Sequence, residues 1–331
     1  MKALLLEDVG GNPVIKTVNM PELIAGNIRI CIKAAALNHR DVWIQKGLYP
    51  AMKLPMILGS DGAGVVDEIG DGVDSRWVGK NVVINPSFEW GTNSKAQGND
   101  FKILGMPRPG TFAEYIVVPQ EQVIEAPEHL NFNQAASLPL AGLTAYRALF
   151  TRADLKAEEK VLITGIGGGV ALFAMQFASA AGCRVWGTSS SHQKIKSAKK
   201  LGLEGGYNYQ DESWSIEAFA ETGGFDVIID GAAGKQYGEL IDAAAPGGRI
   251  VHYGGTAGEP DNLPIRKMFW KQLNILGTTM GTAEDFAHMI HFVSEKQIAP
   301  IIDSAIPLSN AADAFARMDS GEQFGKLVLS V

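Results

Sequence analysis

The sequence predicts a two-domain α/β protein: a β-rich domain, then a doubly wound parallel sheet with helices on both faces, with the chain returning at its end to the first domain. Three observations carry this. Up to about residue 125 the chain reads as short apolar strands separated by Gly, Pro, Asn and Asp. From about Asn133 it changes to longer helical patterns and then to regular alternation of strand and helix, which calls for a parallel sheet. At 331 residues it is too long for one ordinary core and suits two.

The β-rich part opens with MKALLLEDVGG, whose apolar run is too short for a secretory signal and reads as a first strand. NIRICIKAAAL, GAGVVDEIGDGV, KNVVINP and TFAEYIVVP follow. In the second part strands are expected at Lys160–Thr164, Cys183–Thr188, Tyr207–Tyr209, Phe225–Asp230, Arg249–Tyr253 and Leu273–Gly277. Helices are expected between them at Ala171–Ala181, His192–Leu201, Ser213–Glu221 and Lys235–Ala245, while Leu263–Lys271 is less regular. This alternation matches a dinucleotide-binding sheet. Beyond Met280, one helix opens at Thr282, with Asp285 in the capping-box position, and another at Ser309. The closing GKLVLSV is a strand that returns most simply to the first domain. The expected division is 1–124 with 281–331, and 125–280.

Composition narrows the class. Hydrophobic residues at 46% and charged residues at 20% describe a globular chain, and a net charge of -7 argues against nucleic acid or an anionic membrane surface as partner. Cys31 and Cys183 are too few for a disulfide framework or a four-cysteine zinc module, so the cytoplasm is the expected location. Val161 to Cys183 carries no charge and is long enough to span a bilayer. Its glycines at Gly165, Gly167, Gly168 and Gly169 favour a buried strand, turn and helix instead.

That run, VLITGIGGGVALFAMQFA, is the context a phosphate-cradling turn requires. Gly167, Gly168, Gly169 and Val170 would open the helix on the pyrophosphate, whose charge suits free N–H groups at a helix start. No clean GxGxxG can be written; Gly168 and Ala171 take its second and third positions. The next strand ends in WGTSSSHQKIKSAKK, with no acid between Lys160 and Leu203 to accept from ribose hydroxyls. Ser189, Ser190, Ser191 and Lys194 suit a 2′-phosphate, so the expected cofactor is NADP(H). The plainer alternative makes Lys194, Lys196, Lys199 and Lys200 a solvated helix face. Thr144, Gly254, Gly255 and the turn after Leu276, including Thr278, fall at element ends where a dinucleotide would run.

AAALNHRDVWIQKGLYP sets Asn38, His39, Arg40 and Asp41 behind small apolar residues. With GSDGAG, the glycine turn and FGKLVLSV, this order of parts resembles the medium-chain dehydrogenase/reductase superfamily over essentially the whole chain. The resemblance implies a GroES-like catalytic domain joined to a Rossmann domain. In the zinc alcohol dehydrogenases of that superfamily a Cys stands at Asn38, GHE stands at Gly59, Ser60 and Asp61, and a Cys or acid lies near LAGLTAY. None of these is present, and an open zinc site needs three thiolate, imidazole or carboxylate ligands. The lobe NPSFEWGTNSKAQGNDFKILG lacks the cysteines of a structural zinc site and reads as a loop. No metal is expected.

The chain is more similar to the zinc-independent quinone oxidoreductases and enone reductases. Asn38, Asp41 and the run Gly47 to Pro50 match that branch, and Lys194 and Tyr209 match its 2′-phosphate contacts. Lys326 falls near the cofactor in related enzymes, or is an exposed strand cation. Trp43 departs, since Tyr is common there, and bears on substrate range. The expected reaction is hydride transfer from NADPH to a quinone or α,β-unsaturated carbonyl, with Asn38 and Tyr49 donating hydrogen bonds to the acceptor oxygen. Asp41 is expected to cap a helix, and Asp61 to pair with Arg40 or steady its turn. Competing readings are a zinc-type alcohol or aldehyde dehydrogenase and a non-enzymatic NADPH-binding protein. The strand edge Leu273–Thr279 invites a homodimer.

Overall fold

The computed structural model describes residues 1–50 and 52–331. These divide into two compact units, residues 1–143 with 281–331 and residues 144–280. The first begins with β1 (Lys2–Leu6), β2 (Val14–Thr17), β3 (Asn27–Ala36) and α1 (His39–Gln45). It continues through β4 (Met56–Ile57), β5 (Asp61–Ile69), β6 (Asn81–Ile84), β7 (Ser87–Phe88), β8 (Lys102–Leu104), β9 (Pro107–Arg108), β10 (Tyr115–Pro119) and β11 (Val123–Glu125). Next come α2 (Phe132–Ser137) and α3 (Pro139–Tyr146). The second unit alternates β12 (Lys160–Ile163), α4 (Gly169–Ala180), β13 (Arg184–Ser189), α5 (His192–Lys199), β14 (Gly205–Asn208), α6 (Trp214–Thr222), β15 (Phe225–Asp230), α7 (Tyr237–Ala243), β16 (Ala244–His252), α8 (Ile265–Trp270) and β17 (Asn274–Gly277). The chain then completes the first unit with α9 (Ala283–Glu295), β18 (Ile302–Pro307), α10 (Ala311–Asp319) and β19 (Lys326–Ser330).

β3 organises the first unit. Its sheet runs β11-β6-β5-β3-β19-β18, with β10 also on β3. Ile28, Ile30 and Ile32 point into the core while Arg29, Cys31 and Lys33 alternate towards solvent, the period of a half-buried strand. At its end, Ala34, Ala35 and Ala36 are all buried, because β5 on one side and β19 on the other both pair there. Small residues on both strands permit that approach: a Cβ on Gly64 would lie 2.2 Å from the Cys31 carbonyl oxygen. The core gathers Leu6, the three isoleucines, Phe112 and Phe315.

In the second unit six parallel strands take the order β14-β13-β12-β15-β16-β17, so the direction of winding reverses between β12 and β15. In such sheets ligands bind at the carboxyl ends beside that reversal. Leu162, Trp186, Trp214, Phe225, Ile228 and Ile250 fill its core.

Four expectations are corrected. The first crossing between units falls at Leu143 rather than at residue 124, because β11 pairs with β6 and α2 packs on β3 and β5. β16 starts at Ala244, not Arg249: residues 245–248 form a bulge that shifts register against β15, with Gly247 at φ +76°. The last helix opens at Ala311 after a single 3-10 turn over Leu308–Asn310. The lobe after Pro86 is not all loop, since β7, β8 and β9 form a small sheet.

The capping box of α9 forms: the Thr282 hydroxyl accepts from the Asp285 N–H at 3.0 Å, and the Asp285 carboxylate accepts from the Thr282 N–H at 2.9 Å. Thr282→Ala should lower stability by about 1 kcal/mol, read as a lower urea midpoint with unchanged slope.

Candidate active site

Three adjacent strands bring the polar cluster together. β5 begins at Asp61, paired with Ala36 at the end of β3. β19 begins at Lys326, and the Leu37 N–H donates to the Leu327 carbonyl at 2.9 Å. Asn38, next in line, is the N-cap of α1, with extended backbone at φ -128° and ψ 157°. The side chains of Asn38, Asp61 and Lys326 therefore converge at one end of the sheet, and they are 7%, 0% and 3% exposed.

Their hydrogen bonds form a closed set. The Lys326 ammonium donates to the Leu37 carbonyl at 2.7 Å, to Asn38 Oδ1 at 2.8 Å and to Asp61 Oδ2 at 2.9 Å. Asn38 Nδ2 donates to the same Asp61 oxygen at 2.9 Å. Asp61 Oδ1 accepts from the Leu140 N–H at 2.8 Å in the first turn of α3, where a negative charge is favoured. The amide is thereby oriented, because its oxygen can only face the ammonium and its nitrogen only the carboxylate.

This arrangement corrects two expectations. Asp61 pairs with Lys326, not Arg40. Lys326 is a buried ion-pair partner rather than an exposed strand cation. Arg40 turns to the lobe instead, donating to Ser60 Oγ at 2.6 Å and to the carbonyls of Leu104 and Met106 at 2.8 and 3.3 Å. Its guanidinium lies 4.9 Å from the centre of the half-buried Tyr49 ring, within cation–π range. Trp43, also half-buried, meets His39 edge-on at 6.1 Å. Asp41 is not the N-cap of α1 but its third residue, and its Oδ2 accepts from the Asn38 N–H at 2.9 Å.

The second unit carries the glycine turn. Gly165 and Gly167 follow β12 at φ +63° and +123°, and Gly168 caps α4 without a side-chain hydrogen bond to its first N–H groups. Those donors suit a phosphate group. Gly169 and Val170 open that helix. Ser189 ends β13 and its hydroxyl accepts from the Ser191 N–H; Ser190 is exposed; Ser191 caps α5 by accepting from the Lys194 N–H at 3.3 Å. Tyr209 lies half-buried just past β14. Gly254 follows β16, and Thr278, just past β17, holds a buried hydroxyl with no partner among the described residues. Thr144 is buried in α3.

Sequence reasoning missed a relay at the carboxyl ends of β12, β15 and β16. Asp230 accepts from the Thr164 hydroxyl at 2.6 Å, lies 3.0 Å from His252 Nδ1, and receives the N–H groups of Ala232 and Ala233. The Tyr237 hydroxyl meets the other His252 nitrogen at 2.9 Å. Burial raises the Asp230 carboxyl, but these hydrogen bonds outweigh it and leave it below the ordinary range. An Asp ending the apolar run FDVIID was the available signal.

With this geometry in place, comparison with known proteins defines the class. Residues 24–128 match the alcohol dehydrogenase GroES-like domain family, and residues 169–295 the zinc-binding dehydrogenase family. A zinc-type alcohol dehydrogenase-like protein, YogA, of Leptosphaeria maculans is 34% identical over 96% of this chain and 94% of its own length. The quinone oxidoreductase of Mus musculus is 30% identical over 99% of this chain and 97% of its own. A crystal structure of an NAD-dependent alcohol dehydrogenase superposes with a TM-score of 0.95 at 35% identity, covering 100% of both chains. The chain belongs to the medium-chain dehydrogenase/reductase superfamily of oxidoreductases.

Asp41 supplies a pH test. Complete burial, opposed by the Arg40 charge and the Asn38 N–H, pushes its carboxyl from 3.8 up to about 6. A folded pKa above the unfolded one means the native state holds the proton more tightly, so the contribution is full below the unfolded value and is lost as pH rises through the folded one. Between pH 4 and 6 it should cost about 3 kcal/mol at most. Asp41→Asn should flatten that slope in urea unfolding measured across the window.

Proposed function

We propose that this protein is a zinc-independent, NADPH-dependent reductase of quinones or α,β-unsaturated carbonyls. The observation that carries the reading is the buried ammonium on Asn38 and Asp61. The site offers a carboxamide, the Ser60 hydroxyl and a carboxylate already neutralised by Lys326, a donor set that does not fit zinc, which needs three thiolate, imidazole or carboxylate ligands. Among the described residues no group of three or more His, Cys, Asp or Glu is placed to hold a metal ion.

The cofactor reading rests on the second unit. The uncapped start of α4 and the orphaned Thr278 hydroxyl fit a dinucleotide's polar groups. The end of β13 carries three serines with Lys194 a turn later and no carboxylate to repel a 2′-phosphate. When bound, the nicotinamide supplies the hydride.

The chain's own part is electrostatic. Reduction of an enone at its β-carbon, or of a quinone, places negative charge on the acceptor's oxygen, and that charge needs donors fixed before the reaction. One Nδ2 hydrogen of Asn38 is held by Asp61; the other is the donor to the acceptor. The Tyr49 hydroxyl is the second donor, its ring set by Arg40. An enolate or hydroquinone is stable enough for such donors to suffice, and solvent delivers the final proton. Trp43 sets the width of the acceptor site. The protein acts in the cytoplasm, and the edge of β17, with Ile275 exposed, pairs with a second copy.

Similarity to the solved NAD-dependent alcohol dehydrogenase favours a second reading, an alcohol dehydrogenase using NAD. Steady-state rates on quinones, enones and aldehydes with NADPH and NADH, and on alcohols with NADP+ and NAD+, together with a zinc assay of the active sample, separate the two. Expected is NADPH oxidation by quinones or enones at substoichiometric zinc. Turnover confined to alcohols with NAD and bound zinc would overturn the proposal. Lys194→Ala should raise the KM for NADPH about tenfold, the value of one charge-assisted hydrogen bond, while leaving that for NADH unchanged.

A further inference from the structure

Lys326 stands at the start of β19, in a strand otherwise apolar up to Leu329, and is 3% exposed. Its three acceptors are the Leu37 carbonyl, Asn38 Oδ1 and Asp61 Oδ2. Two of them belong to the residue that the proposed reaction uses and to the backbone that leads into it.

We propose that Lys326 is a positioning residue: its ammonium, through Asn38 Oδ1, orients and polarises the Asn38 carboxamide so that the amide's remaining Nδ2 hydrogen is presented to the acceptor oxygen. The inference rests on the reading of the site given above. An amide on a side chain has a broad, nearly two-fold terminal torsion, so an untethered Asn would present oxygen as readily as nitrogen. A carbonyl oxygen presented to a growing negative charge repels it. With the ammonium at 2.8 Å from Oδ1 and Asp61 at 2.9 Å from Nδ2, the flipped amide would set oxygen against carboxylate and N–H against ammonium. The correct orientation is therefore fixed before substrate arrives, which is the condition for electrostatic stabilisation without reorganisation. A cation on the oxygen also draws charge through the amide and strengthens its N–H as a donor.

A purely structural role predicts something different. A buried ion pair stabilises little relative to apolar groups of the same shape, whereas removing one partner leaves the other charge uncompensated. The pair can thus be removed whole. Asp61→Asn combined with Lys326→Met deletes both charges and keeps the volume, while Lys326→Met alone strands Asp61.

Three variants are compared with the unaltered protein: Lys326→Met, the Asp61→Asn/Lys326→Met double variant and Lys326→Arg. The readouts are NADPH affinity by fluorescence, the split of kcat from KM on a quinone and an enone, and the Asn38 side-chain amide in selectively 15N-labelled protein, assigned by its loss in Asn38→Ala. Expected for both Met variants is a fall in kcat of about 100-fold, with NADPH affinity held within about threefold. The two Asn38 Hδ2 resonances, well separated in the parent, should draw together, and Lys326→Arg should restore part of the rate. If Lys326→Met does not fold, the double variant is read against Asp61→Asn alone, which separates the ammonium's effect on the amide from the carboxylate's. Unchanged kcat and unchanged amide resonances in the folded double variant would overturn the proposal, as would a loss confined to NADPH affinity. A parent protein that reduces no quinone or enone would refute the function proposed above, while the amide resonances, read without turnover, still decide what Lys326 does to Asn38.

Discussion

One buried contact, Lys326 on Asp61 and Asn38, is the constraint on which the first unit's site depends. It ties the start of β19, the start of β5 and the N-cap of α1 into a single knot, although Asn38 and Lys326 are 288 positions apart in the chain. Taking an ammonium and a carboxylate out of water is costly, and the attraction between them offsets this only when every remaining donor and acceptor is occupied. Here the Leu37 carbonyl, the Asn38 amide and the Leu140 N–H complete the set. The knot forms where Ala34 to Ala36 and Gly62 to Gly64 let three strands approach closely, so small residues in the sheet are what bring large polar ones together.

Arg40 and Asp41 make the same point from the other side of α1. Arg40 is adjacent in sequence to the knot but leaves it, since Ser60 and the carbonyls of Leu104 and Met106 take its donors and bind the small lobe to the turn before β5. Asp41 faces the Asn38 backbone and keeps one buried oxygen without a partner among the described residues, which is why burial dominates its titration. Two charged neighbours in the chain therefore do unrelated work. The second unit handles its polar groups differently: Asp230 collects hydroxyl, imidazole and backbone donors, and its carboxyl sits low rather than high.

Family membership and site chemistry pull in different directions. One of the two matched families is that of the zinc-binding dehydrogenases, and relatives include both zinc-type alcohol dehydrogenase-like proteins and quinone oxidoreductases. A fold shared so widely does not choose between them. At one sheet end of this chain stand an amide, a hydroxyl and a carboxylate already facing an ammonium, the set on which the proposed reading rests.

The sequence by itself determined the parallel sheet almost strand by strand, because most of its strands are short apolar runs bounded by turn residues, with helical patterns between them. Phe225–Asp230 and the Thr282 capping box are legible for that reason. Where local pattern conflicted with pairing it misled: the strand expected from Arg249 begins at Ala244, because β15 pairs there too, across a shift of register. Asn38, Asp61 and Lys326 were also singled out, from residue type and from resemblance. Their partners were not, because nothing local in NHRD or GKLVLSV says that Asp61 meets Lys326 instead of Arg40. Only the tertiary structure decided that, through the register of β3 against β5 and β19, which sets side chains far apart in sequence within hydrogen-bond distance.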